Sequence, residues 1–256
     1  LRTHFPALAS ECRATAEEVW AREQGQDPVV QPGAYVPRDV AGQEVLATVE
    51  LLLLTGEDQY RARLTALWPT IAVHPLSVGA AVARALPAID DEAFADKLRQ
   101  RVAAALDDYT AAVAGNPFGV SFEPHIWGIG WQLLSQGVGL AQLWRAFPDL
   151  VDRELVLRIV NYNLGCHFAS NTSLVSGVGA RSATVAYGVN RADWSYTPGG
   201  VISGPALIRP DYPELKEPWP HLWQQTEYVI GGAADYIFCV LAADHMLTAG
   251  ASAREA

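Results

Sequence analysis

Apolar residues return with a helical period along almost the whole chain, and this periodicity constrains its fold more than any other feature. The stripe that begins after Gln43 has the i, i+3, i+4, i+7 spacing of an amphipathic helix, with apolar residues at Val45, Leu46, Val49, Leu52 and Leu53. Comparable stripes predict helices over residues 94–113, 152–164 and 226–247, and shorter ones over 6–22, 76–86 and 129–147. Because strand signals are sparse, the sequence predicts an all-α protein.

One segment, residues 170–207, departs from this pattern. It is rich in Gly, Ser and Asn and carries Tyr187, Trp194 and Tyr196. A short hairpin is predicted at residues 184–186, and the rest is expected to be irregular. Loops of this length inside compact domains are usually functional. Helices joined by short glycine-marked turns, with one elaborate loop, favour a toroid of helical hairpins formed by a single domain, residues 1–256.

Charge and cysteine usage exclude several classes of function. The formal net charge is -10 with only 18 Lys and Arg, and no run of cations is present to release counterions from a nucleic acid or to bind an anionic membrane. A neutral substrate is therefore favoured. No apolar run approaches the ~20 uncharged residues that span a bilayer. The three cysteines form no C-x-x-C motif and are expected to be buried, unreactive thiols: Cys12, Cys166 and Cys239.

Common catalytic motifs are also absent. The sequence contains no G-x-S-x-G nucleophile elbow, no G-x-x-x-x-G-K-[ST] phosphate loop and no H-E-x-x-H zinc pair. The six His are scattered, with no pair at helical ligand spacing. No metal site is predicted.

The second half of the chain carries an ordered series of short motifs. They are NYNLG at 161–165, SGVGAR at 176–181, RADW at 191–194, PGGVISGP at 198–205 and WQQTE at 223–227. Their order resembles that of the C-terminal part of family 9 glycoside hydrolases. Trp127-Gly128 is similar to that family's helix start, and residues 44–60 are similar to one of its upstream helices. The resemblance implies an (α/α)6 helical-hairpin toroid, incomplete at its N-terminus.

The resemblance also implies a catalytic acid, because Glu227 occupies the position of the glutamate that protonates the departing glycosidic oxygen. Such an acid works with a carboxylate that activates water. We expect Glu227 in the first turn of the final helix, where the helix dipole favours the anion, whereas burial would favour the protonated acid. The candidates for that burial are Trp219, Trp223 and Tyr228. The simpler alternative is a glutamate that only suits the helix N-terminus.

The partner base is not found in the sequence. Family 9 carries it in an Asp-rich segment near the start of the catalytic domain, and this chain has no such segment. Asp90-Asp91 and Asp107-Asp108 flank an amphipathic stripe and are expected to be surface charges. We therefore expect the base upstream of Leu1, in a missing N-terminal portion of the same protein or in a separate chain, so that this chain alone would be inactive.

The predicted substrate contacts depart from those of family 9 cellulases. Arg191 is kept, but the His pair that precedes it in that family is not, so plain cellulose is a doubtful substrate. The candidate replacements are Tyr187, Asn190, Asp193 and Trp194. Further candidates for sugar contacts are Trp127, His125 and Trp223. Structural alternatives remain open: an Arg191–Asp193 salt bridge, core packing of Trp127, and a hydrogen-bonded loop or core role for the histidines.

The predicted function is inverting hydrolysis of a β-linked glycan or oligosaccharide. The resemblance implies no cofactor beyond a structural calcium, as found in some relatives, and an extracellular or periplasmic location. One rival is a sugar epimerase or polysaccharide lyase that moves a proton with Tyr187, Arg191 or His167. Another is a glycan-binding or scaffold module of the same fold without catalysis.

Overall fold

The computed structural model describes residues 2–26, 40–168, 171–187, 196–209, 212–215 and 223–252. In these ranges the chain is mainly helical, which confirms the all-α prediction. The elements are α1 Pro6–Glu23, α2 Val40–Thr55, α3 Asp58–Ala66, α4 Trp68–Val73, α5 Val78–Ile89, α6 Glu92–Ala114, α7 Gly130–Ala146, α8 Glu154–Asn163, β1 Ala206–Arg209, β2 Tyr212–Glu214, α9 Trp223–Thr226 and α10 Ile230–Ser252.

The helices fall into two compact units, Leu1–Arg101 and Val102–Ala256. In the first unit, α2 packs on α5 and α3, with fully buried side chains that include Val45, Leu52 and Leu64. Helix α1 has no buried residue, so Cys12 is exposed and the prediction that it is a buried thiol is wrong. The prediction of one domain is not tested by this division and stays a prediction.

Two helix ends in the first unit follow from backbone chemistry. Gly56, with φ 71°, comes directly after α2, in the left-handed conformation that glycine adopts without strain. Asp90 ends α5 in the same conformation, with φ 53°, and its N–H donates to Leu86 O at 3.0 Å. The sequence correctly predicted that α2 stops at Gly56. It placed the end of α5 at residue 86, whereas α5 extends to Ile89, and it predicted neither of the short helices α3 and α4.

The second unit is built around α7, which packs against α8 and α10. The close approach of α10 to α7 requires glycine, because a Cβ at Gly137 would lie 2.8 Å from Cys239 Sγ. Cys239 is buried as predicted, and its thiol donates to Leu134 O at 3.4 Å. Cys166 follows α8 and is exposed, contrary to the prediction.

The segment predicted to be irregular is largely so in its described parts. Isolated bridges join Ser173 to Ser182 and Val175 to Val201, around a small core of Leu174, Ala183, Ala186 and Ile202, which we call the loop core. The predicted hairpin at 184–186 is wrong: the two-stranded antiparallel sheet is β1–β2. Ala183 and Ala186 are buried in the loop core instead of pairing as a hairpin, and Tyr187 pairs far along the chain, with Glu227.

The final predicted helix, residues 226–247, is interrupted at its start. Helix α9 ends at Thr226, Glu227 and Tyr228 form bridges to other segments, and α10 begins only at Ile230. Within the described residues, α10 also contains the one stretch, Ile230–Ala249, that is long and apolar enough to cross a membrane by length and composition alone. No apolar run of this length was expected from the sequence, because Asp235 and Asp244 interrupt the stretch. The same helix packs on α7 and α8.

Candidate active site

The residues at the start of α7 form backbone hydrogen bonds to α9, which directly precedes Glu227, and to Ser203. The N–H of Gly128 donates to Gln224 O at 2.7 Å, and the N–H of Gly130 donates to Ser203 O at 2.8 Å. A side chain at Gly128 would overlap the backbone of Ser203, so glycine is required for this approach. The Ser203 hydroxyl donates to Gln224 O at 2.9 Å, and Gly204 N–H donates to Gln225 O at 2.8 Å. Two stretches distant in sequence therefore fix α9 in place.

Glu227 lies in the extended link between α9 and α10. Its N–H donates to Trp223 O at 3.0 Å, and it forms a parallel bridge with Tyr187, whose N–H donates to Thr226 O at 2.9 Å. Its side chain is half-buried. The expectation of a first-turn helical position is wrong, because pairing with Tyr187 and Ile202 keeps residues 227 and 228 extended. The helix-dipole argument for a first-turn glutamate therefore does not apply.

An aromatic pair stands beside Glu227. The rings of Tyr187 and Trp223 meet edge to face, with centroids 5.6 Å apart and planes at 74°. Trp223 is 51% exposed, which leaves much of its ring surface open to a ligand. The structure thus brings together three predicted site residues. Four others lie outside the described residues: Asn190, Arg191, Asp193 and Trp194.

Trp127 and His125 lie in the irregular segment that precedes α7. The backbone N–H of Trp127 donates to His125 Nδ1 at 2.9 Å, and His125 O accepts the N–H of Leu207 at 2.7 Å. His125 is exposed and Trp127 is half-buried. The histidine thus takes part in a hydrogen bond within the loop, and its contact with a sugar stays a prediction. Both residues connect to the Glu227 region through Gly128 and Gln224.

Sequence reasoning named Tyr228 only as a side chain that could bury Glu227, and it missed the contacts that Tyr228, Ser176 and Trp131 make. The hydroxyls of Tyr228 and Ser176 share a hydrogen bond. The indole N–H of Trp131 donates to Val201 O at 3.0 Å, which ties α7 to the loop segment. The position of Tyr228, directly after the predicted acid, was the signal for that residue, but both contacts join residues far apart in sequence and left no local pattern.

His167 is buried and has a local structural role. Its Nε2–H donates to Thr172 O at 2.9 Å, and burial lowers the pKa of His167 although this hydrogen bond opposes the shift. The ring lies 5.3 Å from that of Tyr162, whose pKa is raised by burial. This environment is that of a hydrogen-bonded core histidine and is poorly suited to proton transfer with a solvent-borne sugar.

Metal ligands are not assembled in the part of the chain that the structure describes. No group of three or more His, Cys, Asp or Glu side chains comes together there. The structural calcium that the resemblance implies therefore has no candidate site among these residues, and no step of the chemistry is assigned to it.

The fold and the site together define an all-α helical-hairpin protein with a glutamate and an aromatic pair at the junction of two helices. No family model matches the chain. It is 26% identical to Endoglucanase C of Cellulomonas fimi, over 80% of this chain and 21% of that protein. Its structure is similar to that of a metagenome-derived glycoside hydrolase family 9 endoglucanase, with a TM-score of 0.71 and 21% identity, over 93% of this chain and 48% of the other. A cellulase of C. cellulolyticum solved with cellobiose gives a TM-score of 0.69 and 15% identity, over 95% and 60% of the two chains.

These comparisons confirm the resemblance at the level of the fold. The chain has the helical-hairpin fold of the family 9 glycoside hydrolases. It spans about half the length of the solved structures and about a fifth of the curated relative, at 48%, 60% and 21%.

Proposed function

We propose that this chain carries the acid-bearing part of an inverting glycoside hydrolase that acts on a β-linked glycan, with Glu227 as the catalytic acid. The observation that carries the proposal is the placement of Glu227 at the junction of α9 and α10, beside the Tyr187–Trp223 pair. The relatives support it: one is named an endoglucanase, and another was solved with cellobiose.

The geometry suits proton donation. A general acid must be held within hydrogen-bond reach of the leaving oxygen, and the backbone around Glu227 is tied to Trp223 O on one side and to Tyr187 on the other. The exposed face of Trp223 suits the apolar face of a pyranose ring. A sugar stacked there would lie beside the glutamate, so binding and protonation would occur at one place.

The remaining parts of the proposal follow the family resemblance. Arg191, with Asn190, Asp193 and Trp194, would contact the sugar beside the cleaved bond, and a carboxylate about 6.5–9.5 Å from the acid would activate water for inversion. The proposal assigns no base to a residue of this chain. We also propose that the substrate is not plain cellulose and that the protein is extracellular or periplasmic.

Hydrolysis of β-linked oligosaccharides by the full-length protein tests the proposal. Glu227→Gln should lower kcat by about 10²–10⁴-fold, because it removes a transferable proton while keeping the size of the side chain. Glu123→Gln, at an exposed glutamate of the same unit, is the matched control and should leave kcat unchanged. NMR of the first product should show the α-anomer. Unaltered turnover in Glu227→Gln would remove this residue from the mechanism.

A glycan-binding module without catalysis is the second candidate. The Tyr187–Trp223 pair favours it, since aromatic stacking needs no base. It predicts measurable oligosaccharide binding, lost in Trp223→Ala, with no turnover in the full-length protein.

A further inference from the structure

Tyr228 follows Glu227 directly in the extended link, but it is held by a different part of the chain from the one that pairs with Glu227. It forms an antiparallel bridge with Ile202, and its ring packs against the loop core. Its hydroxyl shares a hydrogen bond with the hydroxyl of Ser176, a fully buried residue. A buried polar group of this kind is retained only with a partner, because leaving it unpaired costs about 1–3 kcal/mol.

Gly200 completes this anchor. A Cβ there would lie 2.8 Å from Tyr228 Cε1 and 2.9 Å from Cδ1, so the ring packs directly against the glycine and leaves no room for a side chain. Ser176 N–H donates to Gly200 O at 2.9 Å, and Gly199 N–H donates to Ser176 O at 2.8 Å. We call the three residues Tyr228, Ser176 and Gly200 the tyrosine clamp.

The clamp determines where the neighbouring side chain points. Successive side chains of an extended segment project to opposite faces. Because Tyr228 is held in the loop core, we expect the Glu227 side chain to project away from that core. Its own backbone is paired with Tyr187, so the link has little freedom to rotate. A misplacement of about 1 Å can cost on the order of 10²-fold in rate when a catalytic group depends on orientation.

We propose that Tyr228 and Ser176 are positioning residues that hold Glu227 in its proton-donating orientation through their shared hydrogen bond. This inference rests on the proposed function. In this role both residues act through the backbone of the glutamate and not by contact with the substrate.

The test compares two aryl β-cellobiosides on the full-length protein. Cleavage of dinitrophenyl β-cellobioside needs little protonation, because its leaving group is a weak base, whereas cleavage of phenyl β-cellobioside needs the acid. Tyr228→Phe should lower kcat/KM about 10-fold or more for the phenyl substrate and by less than about 3-fold for the dinitrophenyl one. Ser176→Ala should give the same pattern, and the double variant should be no worse than either single one.

Tyr109→Phe is the matched control. It removes a tyrosine hydroxyl that donates to Gln136 Oε1 at 3.0 Å in the same unit. It should lower the melting temperature about as much as Tyr228→Phe without any leaving-group dependence. A merely structural role for Tyr228 would slow both substrates equally, and that result would overturn the inference.

The variant Glu227→Gln distinguishes failure of the positioning inference from failure of the proposed function. If it shows the leaving-group dependence and Tyr228→Phe does not, the positioning inference fails while the proposed function stands. If Glu227→Gln cleaves both substrates at the unaltered rate, or if the unmodified protein cleaves neither of them nor any of the β-linked oligosaccharides, the proposed function fails and the positioning role falls with it.

Discussion

Two adjacent glycines at the start of α10 predict opposite responses to the same substitution. Gly231 is exposed, and a Cβ there would meet no atom within 4 Å. A Cβ at Gly232 would lie 2.6 Å from Nε1 and 3.1 Å from Cγ of Trp131, closer than the 3.4–4 Å of ordinary contact. Gly231→Ala and Gly232→Ala therefore form a matched pair in one helix, and only the second meets a neighbour.

The magnitudes follow from three effects. Replacing a helical glycine by alanine contributes about 0.5–1 kcal/mol of stability at either position. At Gly232 the overlap with Trp131 costs about 1–3 kcal/mol. Displacing the indole also weakens its hydrogen bond to Val201 O, at 3.0 Å, which is worth about 0.5–1.5 kcal/mol. Gly232→Ala should therefore be about 2–4 kcal/mol less stable than Gly231→Ala.

Thermal unfolding followed by far-ultraviolet circular dichroism measures this difference. We expect the melting temperatures of the two variants to differ by on the order of 10 °C, because 1 kcal/mol shifts a domain of this size by about 2–4 °C. In a Trp131→Leu background the smaller side chain should remove most of the difference. Equal stability of the two variants would refute the reasoning, since it would mean that Trp131 does not lie against Gly232.

Three further predictions concern the aromatic pair and two buried groups. Trp223→Ala should raise KM for oligosaccharides about 10-fold, a loss of about 1.4 kcal/mol, with little change in melting temperature because the side chain is 51% exposed. A thiol reagent at pH 8 should label Cys12 and Cys166 in the native protein but not Cys239, since burial raises the pKa of that thiol to about 12; labelling of all three before unfolding would contradict this. Burial lowers the pKa of His167 from 6.5, so the unfolded chain binds this proton more tightly, and the stabilisation present above pH 6.5 is lost as the pH falls below it. His167→Gln should flatten that decline in urea titrations between pH 7 and 5, and an unaltered slope would count against it.

The sequence by itself determined the helical class and several of its boundaries. The stripe through Val45 and Val49 formed α2 and stopped at Gly56, and the stripe that ends before Gly165 formed α8. These features depend on contacts within one or two turns, which the local order of residues specifies. The order of short motifs also pointed to the family 9 fold, which the comparisons confirm.

Only the tertiary structure decided where Glu227 lies. Its local sequence reads as the first turn of a helix, but Tyr187 and Ile202, both distant in sequence, pair with residues 227 and 228 and keep them extended. The tyrosine clamp was hidden for the same reason, because Ser176 and Gly200 meet Tyr228 only after the chain has folded. Helical periodicity is a property of neighbours along the chain, whereas an extended link takes its conformation from partners elsewhere, and no local pattern names those partners.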